Sequence, residues 1–309
     1  MTDITAVGEI LIDLTQSGVN SQGVPLFAAN PGGAPANLAV AAARLGASTA
    51  FIGKVGADSF GTLLKDTLVN NNVDVSGLCV DPINRTTLAV VALDSTGERS
   101  FSFYRDPSAD VNLQAEEIHL PDTKYLHFGS VSLTTEPAKS ATLYTVETAK
   151  RQGAIISYDP NYRASLWPSE EVAIAQMRQP LSMVDVLKIS DEELPLLTGT
   201  TDLDVGSQQL SDKGISLVLI TLGAEGAYYR LKGQTGHIPG VKVTVGDTNG
   251  AGDTFFGAVL AQLAKFDKLE DVSISQMESI IAIANKAAAI TTSRHGAIPA
   301  MPTYEEVFD

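Results

Sequence analysis

The sequence predicts an α/β fold with a mainly parallel central sheet and a small, separate β-sheet that acts as a lid. Strand-like and helix-like segments alternate over most of the 309 residues, a pattern typical of parallel sheets with crossover helices. Two segments, at 14–31 and 86–106, break this alternation with hairpin-like patterns. Polar residues also follow several predicted strands directly, where open α/β sheets bind their ligands. We therefore expect one domain over residues 1–309, with the two hairpin segments forming the lid.

Composition and charge restrict the classes of function. With 44% hydrophobic and 18% charged residues, the chain has the composition of a globular protein with a sizeable core. Its formal net charge of -15 argues against a nucleic-acid or anionic-membrane partner, because both repel an acidic surface. A nucleotide is not excluded, since it needs only a local site for its anionic groups. The four histidines are scattered without ligand spacing, which argues against a zinc site.

The cysteine content and the N-terminus bear on where the protein resides. Cys79 is the one cysteine in the sequence, so no internal disulfide can form, and a reducing compartment fits. The N-terminus lacks the basic and apolar regions of a signal peptide, and no apolar run approaches the roughly 20 residues of a membrane helix. We expect a cytoplasmic protein.

The first strand leads into one of the hairpin segments. Residues 4–12 are apolar except for Gly8 and Glu9, which predicts a buried strand. Asp13 then falls at its carboxyl end, either as a ligand-binding group or as a helix cap. Residues 14–31 hold several glycines and prolines between short apolar pieces, and therefore predict a hairpin rather than a crossover helix.

A glycine-rich turn opens the first predicted helix. Gly32 and Gly33 precede a run of small and apolar residues that ends at Leu45, and Gly46 is a suitable helix terminator. The paired glycines let the backbone approach a ligand closely, although a tight turn explains them equally well. Asn37 lies one turn into the helix on a face of small residues, where a side chain can recognise a hydroxyl group.

The second hairpin segment carries two further candidates. Residues 86–93 and 99–105 predict strands, and 94–98 predict the turn between them. By alternation, Phe103 and Arg105 share one face of the second strand, facing either a ligand or solvent.

The other elements follow the α/β alternation, and polar residues again mark strand ends. Ser190 is a suitable helix N-cap after its strand, and Glu193 occupies the position of a capping-box partner. The remaining predicted strands are 50–55, 125–128, 154–158, 184–189 and 217–221, with a hairpin or meander around 227–231 and 237–245. One further predicted helix ends near residue 70. The others cover 137–152, 254–263 and about 275–292, and Asn285 interrupts the apolar face of the last one.

A second glycine-rich turn, at 247–253, opens another helix and carries a carboxylate. The N–H groups of Gly250, Ala251 and Gly252 have no acceptor within the helix, and with the helix dipole they form a site for an anion. Asp253 beside an anion is costly unless it has a chemical role, such as taking a proton from a hydroxyl that attacks a phosphate. The simpler alternative is a turn in which Asp247 caps the helix.

The collected polar groups favour phosphoryl transfer to a polyol. The sequence contains no P-loop, no nucleophile-elbow motif and no dinucleotide fingerprint after the first strand. An anion site, a base and hydroxyl-binding groups suit a reaction that depends on positioning and electrostatic stabilisation. Mg²⁺ on the nucleotide would neutralise charge, and the lid would exclude water. The groups expected in one crevice are Asp13, Gly32, Gly33, Asn37, Arg163, Thr221, Gly223 and Asp253.

The chain also resembles a known family. The run Gly32-Gly33-Ala34-Pro35-Ala36-Asn37-Leu38-Ala39 is similar to the first signature of ribokinase-type (pfkB-type) carbohydrate kinases, and Asp247–Phe255 is similar to the second. The segment Asp159–Trp167 further resembles the bacterial fructokinases. The resemblance extends from Gly8 to Pro302. It implies a ribokinase-like three-layer α/β/α sandwich and ATP-dependent phosphorylation of a primary hydroxyl of a ketose, foremost fructose, with Mg²⁺ and often K⁺.

The resemblance also implies roles for individual residues. Asp253 would be the catalytic base, and the N–H groups of Gly250, Ala251 and Gly252 the anion hole. The sugar would be bound by Asp13, Gly33, Asn37, Phe103, Arg105, Arg163 and Asp253. The nucleotide would be bound by Lys188, Glu193, Thr221, Gly223, Gly226, Asn249, Gly250, Gly252 and Asn285. A monovalent cation would lie near Asp247, Asn249, Ser293 and Gly296.

Two departures and several alternatives accompany this interpretation. Ser190 stands where the family has Asn, and Asn249 where Thr is common, which puts a direct role of Ser190 with Mg²⁺ in doubt. An alternative substrate is 2-keto-3-deoxygluconate, and a non-enzymatic alternative is a sugar or nucleotide sensor on the same fold. The expected partners are a small-molecule sugar and ATP, and a homodimer through the lid is possible.

Overall fold

The protein contains a nine-stranded and a four-stranded sheet, as described by a computed structural model for residues 1–93 and 99–309. The strands are β1 (Thr2–Val7), β2 (Leu11–Val19), β3 (Pro25–Gly32), β4 (Thr49–Gly56), β5 (Val73–Asp81), β6 (Leu88–Leu93), β7 (Arg99–Tyr104), β8 (Thr123–Gly129), β9 (Ile155–Asp159), β10 (Val186–Ser190), β11 (Leu217–Thr221), β12 (Ala227–Leu231) and β13 (Gln234–Ile238). The α-helices are α1 (Ala34–Arg44), α2 (Ser59–Asn70), α3 (Ala138–Arg151), α4 (Glu170–Arg178), α5 (Leu194–Thr198), α6 (Leu203–Ser211), α7 (Ala251–Leu263), α8 (Ile274–Thr292) and α9 (Tyr304–Phe308).

The large sheet is mainly parallel and separates two layers of helices. Its order is β13-β12-β11-β10-β9-β8-β1-β4-β5, and the strands from β11 to β5 pair in parallel. Alternate residues of β11 enter different cores: Leu217 and Leu219 pack with α1, α7 and α8, whereas Val218 and Ile220 pack on the side of α3. The predicted α/β class with helices on both faces is therefore confirmed.

The predicted small sheet is also confirmed. Its order is β3-β2-β6-β7, so the hairpin of β2 and β3 joins the hairpin of β6 and β7 through a parallel β2–β6 pairing. The predicted turn at 94–98 lies outside the described residues. Among the residues that are described, no helix is both long and apolar enough to cross a membrane.

The predicted first strand, 4–12, is wrong, because two strands in different sheets share this segment. β1 ends at Val7 and β2 begins at Leu11 in the small sheet. The chain turns at Gly8, whose φ is 151° and whose added Cβ would lie 2.7 Å from Pro35. Asp13 therefore lies within β2, opposite Asn30 of β3, rather than at the end of a strand in the large sheet.

Weak hydrophobic patterns explain the other differences. β5 was not predicted, because this edge strand buries few of its side chains and contains a glycine. The predicted strand at 237–245 ends at Ile238, after which Pro239 cannot donate a ladder hydrogen bond. Helices α4, α6 and α9 are short and were not predicted, whereas a helix beginning at Ser190–Glu193 was predicted and corresponds to α5.

Close packing of α1 against α7 joins the two glycine-rich motifs. α7 is buried along nearly its whole length. At its centre, a Cβ on Gly257 would lie 2.8 Å from the carbonyl oxygen of Leu38 and 2.9 Å from the Cβ of Ala41. Since the nearest atom belongs to the backbone of α1, the two helices approach this closely only because residue 257 has no side chain.

We predict that Gly257→Ala lowers the free energy of unfolding by about 1–3 kcal/mol, the usual cost of overpacking a core. Gly206→Ala in α6 is the matched control, because the three atoms nearest to its added Cβ all belong to the side chain of Leu194. Chemical denaturation of both variants should show the larger loss at residue 257. Equal losses would contradict the constraint between α1 and α7.

Candidate active site

Two cavities meet at the first turn of α7. The first, here called the polar cavity, is lined by Glu9, Leu11, Asp13, Gly33, Ala34, Asn37, Phe103, Val131, Asn161, Arg163, Asn249 and Asp253. The second, the apolar cleft, is lined by Thr221, Gly223, Ala224, Gly226, Gly240, Val241, Lys242, Val243, Val245, Thr248, Ala251, Gly252, Phe255, Asn285, Ala288, Ala289 and Thr292. Its volume of about 550 Å³ is typical of small-molecule sites. Gly252 and Asp253 are consecutive, yet each lines a different cavity.

Asp253 is held at the boundary by amide side chains from other elements. Asn37 of α1 donates from Nδ2 to Oδ2 of Asp253 at 2.8 Å, and Asn161 after β9 lies within 3.5 Å of Oδ1. Burial raises the pKa of Asp253, while the hydrogen bond from Asn37 and the charges of Lys188 and Arg163 act in the opposite direction. A fixed carboxylate with a raised pKa is suited to accept a proton.

The other predicted sugar-binding groups surround this carboxylate. The Oδ1 atom of Asn37 is buried without a hydrogen-bond partner and faces no donor from the described part of the chain. Asp13 is nearly buried and accepts a 3.3 Å hydrogen bond from Asn249. Burial raises the pKa of Asp13 to about 6, against the effects of Asn249 and Arg163. The polar cavity therefore offers mostly acceptors, which suits a ligand rich in hydroxyl groups.

The paired glycines of the first motif serve close approaches within the chain. A Cβ on Gly32 would lie 2.4 Å from Oδ2 of Asp13. Gly33 has a φ of 105°, and its Cβ would lie 2.6 Å from the carbonyl oxygen of Glu9. These glycines thus let Asp13 and the β1–β2 connection pack against the start of α1.

The first turn of α7 has the features of an anion site. Gly250 is its N-cap in the left-handed region, with a φ of 75°, and a Cβ there would lie 2.9 Å from Ala297. The first firm helical bond is donated by Thr254 to Gly250, at 2.8 Å. The N–H groups of Gly252 and Asp253 therefore have no acceptor within the helix, and that of Ala251 has only a 3.4 Å contact with Thr248.

A buried cation lies beside this turn. Nζ of Lys188 in β10 would be 3.0 Å from a Cβ on Gly252, and it pairs with Oδ2 of Asp159 at 2.9 Å. Burial alone lowers the pKa of Lys188, but Asp159 and Glu193 outweigh it and raise the pKa overall. Burial raises the pKa of Asp159 to about 6, although Lys188 opposes that shift. Lys188 thus remains charged next to the anion site.

Glu193 accepts hydrogen bonds from the backbone of the loop after β9 and of the last residue of β10. Its Oε1 accepts from the N–H of Tyr162 at 2.7 Å and its Oε2 from the N–H of Ser190 at 2.8 Å. Ser190 Oγ in turn accepts from the N–H of Glu193 at 3.2 Å, which is the predicted reciprocal capping pattern. α5 starts one residue later, at Leu194. This arrangement fixes the loops after β9 and β10 next to Lys188.

Five of the nine predicted nucleotide residues line the apolar cleft, whereas Asn249 lines the polar cavity. The five are Thr221, Gly223, Gly226, Gly252 and Asn285. Gly226 has to be glycine, since a Cβ would lie 2.2 Å from the carbonyl oxygen of Ile238. Nδ2 of Asn285 donates to the carbonyl oxygens of Ile238 and Pro239, at 3.1 Å each, and so fastens α8 to the end of β13.

The two lid candidates and Arg163 lie in different surroundings. Phe103 lines the polar cavity, and Arg163 lines it from an exposed position. Arg105 does not line it: the side chain is buried in an ion pair with Asp110, at 2.7 Å, and donates to Thr134 at 2.6 Å. The alternation that grouped Phe103 with Arg105 ends with β7 at Tyr104.

The four residues predicted near a monovalent cation are adjacent in space. Asp247 accepts hydrogen bonds from the N–H groups of Asn249, at 2.8 Å, and Gly296, at 3.2 Å. The carbonyl of Ser293 lies 2.9 Å from the position of a Cβ on Gly246. Within the described ranges, no group of three or more His, Cys, Asp or Glu side chains is placed to hold a metal ion. Carboxylate and main-chain oxygens remain, which are ligands for hard cations.

Three residues in or beside the polar cavity were not predicted from the sequence. Asn161 and Asp159 follow or end β9, so the rule of carboxyl ends of strands could have identified them. Glu9 gave no such signal, because residues 4–12 were taken as one strand. Burial raises its pKa to about 7, against weaker effects of backbone hydrogen bonds and Arg105.

Comparisons with known proteins identify the family of this chain. Residues 1–304 match the model of the pfkB family of carbohydrate kinases. The chain is 44% identical over 310 residues to probable fructokinase-4 of Arabidopsis thaliana, covering 98% of this chain and 95% of the relative. The fructokinase of Xylella fastidiosa, solved with bound ATP, is 35% identical with a TM-score of 0.92, covering 99% of this chain and 97% of that one.

A further structure is similar over the whole chain. It is a double mutant of the fructokinase of Vibrio cholerae O395, solved with fructose, ADP and a potassium ion. Its identity is 36% and its TM-score is 0.90, covering 100% of this chain and 97% of that one. The fold and site define a phosphotransferase with an alcohol group as acceptor. The chain belongs to the pfkB family of carbohydrate kinases.

We predict a stability difference between wild type and Glu9→Gln that depends on pH. The pKa of Glu9 is raised from 4.5 to about 7 on folding. The contribution of its protonated carboxyl group to the free energy of unfolding is therefore fully present below pH 4.5 and is lost as the pH rises through 7. Wild type should therefore lose about 3 kcal/mol relative to Glu9→Gln over this window, at about 1.4 kcal/mol for each pKa unit. Denaturant titrations at several pH values measure this difference. A difference in free energy of unfolding that does not vary with pH would contradict the raised pKa of Glu9. Glu116→Gln, at an exposed position, is the matched control.

Proposed function

We propose that this protein is a fructokinase that transfers the γ-phosphoryl group of ATP to the primary hydroxyl of fructose and forms fructose 6-phosphate. The observation that carries the proposal is the adjacency of Gly252 and Asp253, which face the apolar cleft and the polar cavity respectively. A nucleotide in the cleft and a sugar in the cavity would meet at the first turn of α7. The fructokinases among the relatives support the choice of fructose.

The chain's own groups suit each part of this transfer. Asp253 accepts the proton of the sugar hydroxyl while the oxygen of that hydroxyl forms a bond to the γ-phosphorus. The bond between the γ-phosphorus and the oxygen of the leaving ADP breaks. Asn37 and Asn161 orient the carboxylate. The N–H groups of Gly250, Ala251 and Gly252, together with the charge of Lys188, stabilise the transferred phosphoryl group. The small sheet covers the cavity through Phe103 and excludes water, which would otherwise hydrolyse ATP.

Two cations belong to the proposal. Mg²⁺ would neutralise charge on the nucleotide phosphates. Both oxygens of Glu193 already accept backbone hydrogen bonds, so we place Mg²⁺ mainly on the phosphates rather than on a carboxylate cage. A monovalent cation, K⁺, would be held by Asp247 and by oxygens of Asn249 and the segment from Ser293 to Gly296. Its charge would strengthen the anion site at α7.

A panel of acceptors tests the function. We predict that fructose gives a kcat/KM at least about tenfold above 2-keto-3-deoxygluconate, ribose, glucose and adenosine, a difference of about 1.4 kcal/mol or more. 2-Keto-3-deoxygluconate, which is an acid, is disfavoured because the described lining of the polar cavity includes three carboxylates and one guanidinium. The carboxylates are those of Glu9, Asp13 and Asp253, and the guanidinium is that of Arg163. ADP release is the measurement. Higher activity with the acid, or no sugar-dependent ADP release, would contradict the proposal.

Asp253→Asn tests the mechanism. The substitution keeps the shape of the side chain but removes the base, so kcat should fall by about 10²- to 10⁴-fold while the affinity for fructose stays near wild type. Asp13→Asn is the matched control, since it lies in the same cavity and should raise KM more than it lowers kcat. Near-normal turnover of Asp253→Asn would exclude this residue as the base.

We further propose a homodimer that forms through the small sheet. β3 and β7 are its edge strands, and they carry the exposed apolar side chains of Leu26, Phe27 and Tyr104. Such edges favour pairing with another strand. Sedimentation should give twice the chain mass of 32.5 kDa, and Phe27→Lys should halve it. A monomeric wild type would contradict this arrangement.

A further inference from the structure

Glu9 is a buried carboxyl group in the connection between β1 and β2. Its side chain is 3% exposed, and its Oε1 accepts a 3.0 Å hydrogen bond from the N–H of Ala34 at the start of α1. Since Gly33 provides no side-chain cap for α1, this bond satisfies one of the helix's unpaired donors. One oxygen of Glu9 therefore has a structural partner.

The second oxygen has none. Oε2 of Glu9 is buried without a hydrogen-bond partner from the described part of the chain. The charge of Arg105 acts to lower the pKa of Glu9, but that guanidinium is engaged with Asp110 and Thr134. A buried polar atom without a partner is costly, and such atoms in native proteins are usually satisfied by a ligand or by water.

The position of Glu9 indicates which ligand. Glu9 lines the polar cavity together with Asp13, Asn37 and Asp253. Oδ1 of Asn37 is also buried and unpaired, so two acceptors of one cavity lack donors from the described residues. A sugar with several hydroxyl groups supplies such donors, whereas an apolar ligand does not.

We propose that Glu9 is a further substrate-binding residue, whose Oε2 atom forms a hydrogen bond with one hydroxyl of the acceptor sugar. The assignment rests on the proposed function, because it takes the polar cavity as the sugar site. A hydrogen bond to this buried oxygen offsets the cost of leaving it unpaired, so Glu9 contributes to the affinity for fructose and selects for a hydroxyl at one ring position. The raised pKa of Glu9 is consistent with an oxygen that lacks a donor until the sugar binds.

The test compares wild type with Glu9→Gln on fructose and on fructose analogues that each lack one hydroxyl other than the reacting one. Gln keeps an oxygen for Ala34 but replaces the free oxygen by an amide NH₂, which cannot accept. KM for fructose should rise about 10- to 100-fold, with little change in KM for ATP. For the analogue that lacks the partner hydroxyl, wild type and variant should have the same KM. Glu116→Gln is the matched control and should behave as wild type.

The alternative role of Glu9 is purely structural, through Ala34. That role predicts the same rise in KM for fructose and for every analogue, and this result would overturn the proposal. An unchanged KM for fructose would overturn it as well. If wild type releases no ADP with fructose, the proposed function fails instead. The test of Glu9 is then repeated with deoxy analogues of whichever acceptor the panel identifies.

Discussion

The hydrogen bond between Asn37 and Asp253 is the contact on which the site depends. It joins residues 216 positions apart in the chain, one from each glycine-rich motif. The bond forms because α1 and α7 approach closely at Gly257, where a side chain would strike the backbone of Leu38. The helix that carries Asp253, the proposed base, is thereby fixed against the helix that carries Asn37, a proposed sugar-binding residue. Under the proposed mechanism, a small displacement between them would separate Asp253 from the hydroxyl that it deprotonates.

The opposite charges of several buried carboxyl groups and of Lys188 are the second constraint on this site. Burial raises the pKa of four carboxyl groups around the polar cavity and Lys188, namely Glu9, Asp13, Asp159 and Asp253. Lys188 is a buried cation near them, and it pairs with Asp159 while lying beside the first turn of α7. An anionic phosphoryl group is thus attracted to the N-terminus of α7, while the acceptor side of the boundary keeps an excess of hydrogen-bond acceptors.

Much of the fold was predictable, because its elements have strong local signals. The strands from β8 to β11 are apolar and regularly spaced, and α1 and α7 begin at glycine-rich turns. The prediction for residues 4–12 failed because a continuous apolar run does not reveal that the chain changes sheets at Gly8. β5 was missed because an edge strand with few buried residues has no clear period.

The site was predictable where a motif placed the residue, and less so where tertiary packing did. Asp253, Asn37 and Phe103 line the polar cavity, as the two motifs and the lid pattern suggested. Asp13 lines it too, although the predicted strand end that suggested it is wrong. Arg105 instead forms a buried ion pair with Asp110, a partner that alternation along one strand does not indicate. Glu9 was hidden within an apolar run, and its importance follows from an unpaired oxygen that only three-dimensional structure shows.

A crystal structure with fructose and a non-hydrolysable ATP analogue would show whether the acceptor and the nucleotide meet at α7. We predict that the primary hydroxyl oxygen of fructose lies within about 2.6–3.2 Å of a carboxylate oxygen of Asp253. We also predict that the γ-phosphate lies at the N–H groups of Gly250, Ala251 and Gly252. A sugar whose primary hydroxyl points away from Asp253, or a γ-phosphate bound away from the start of α7, would contradict the proposed mechanism.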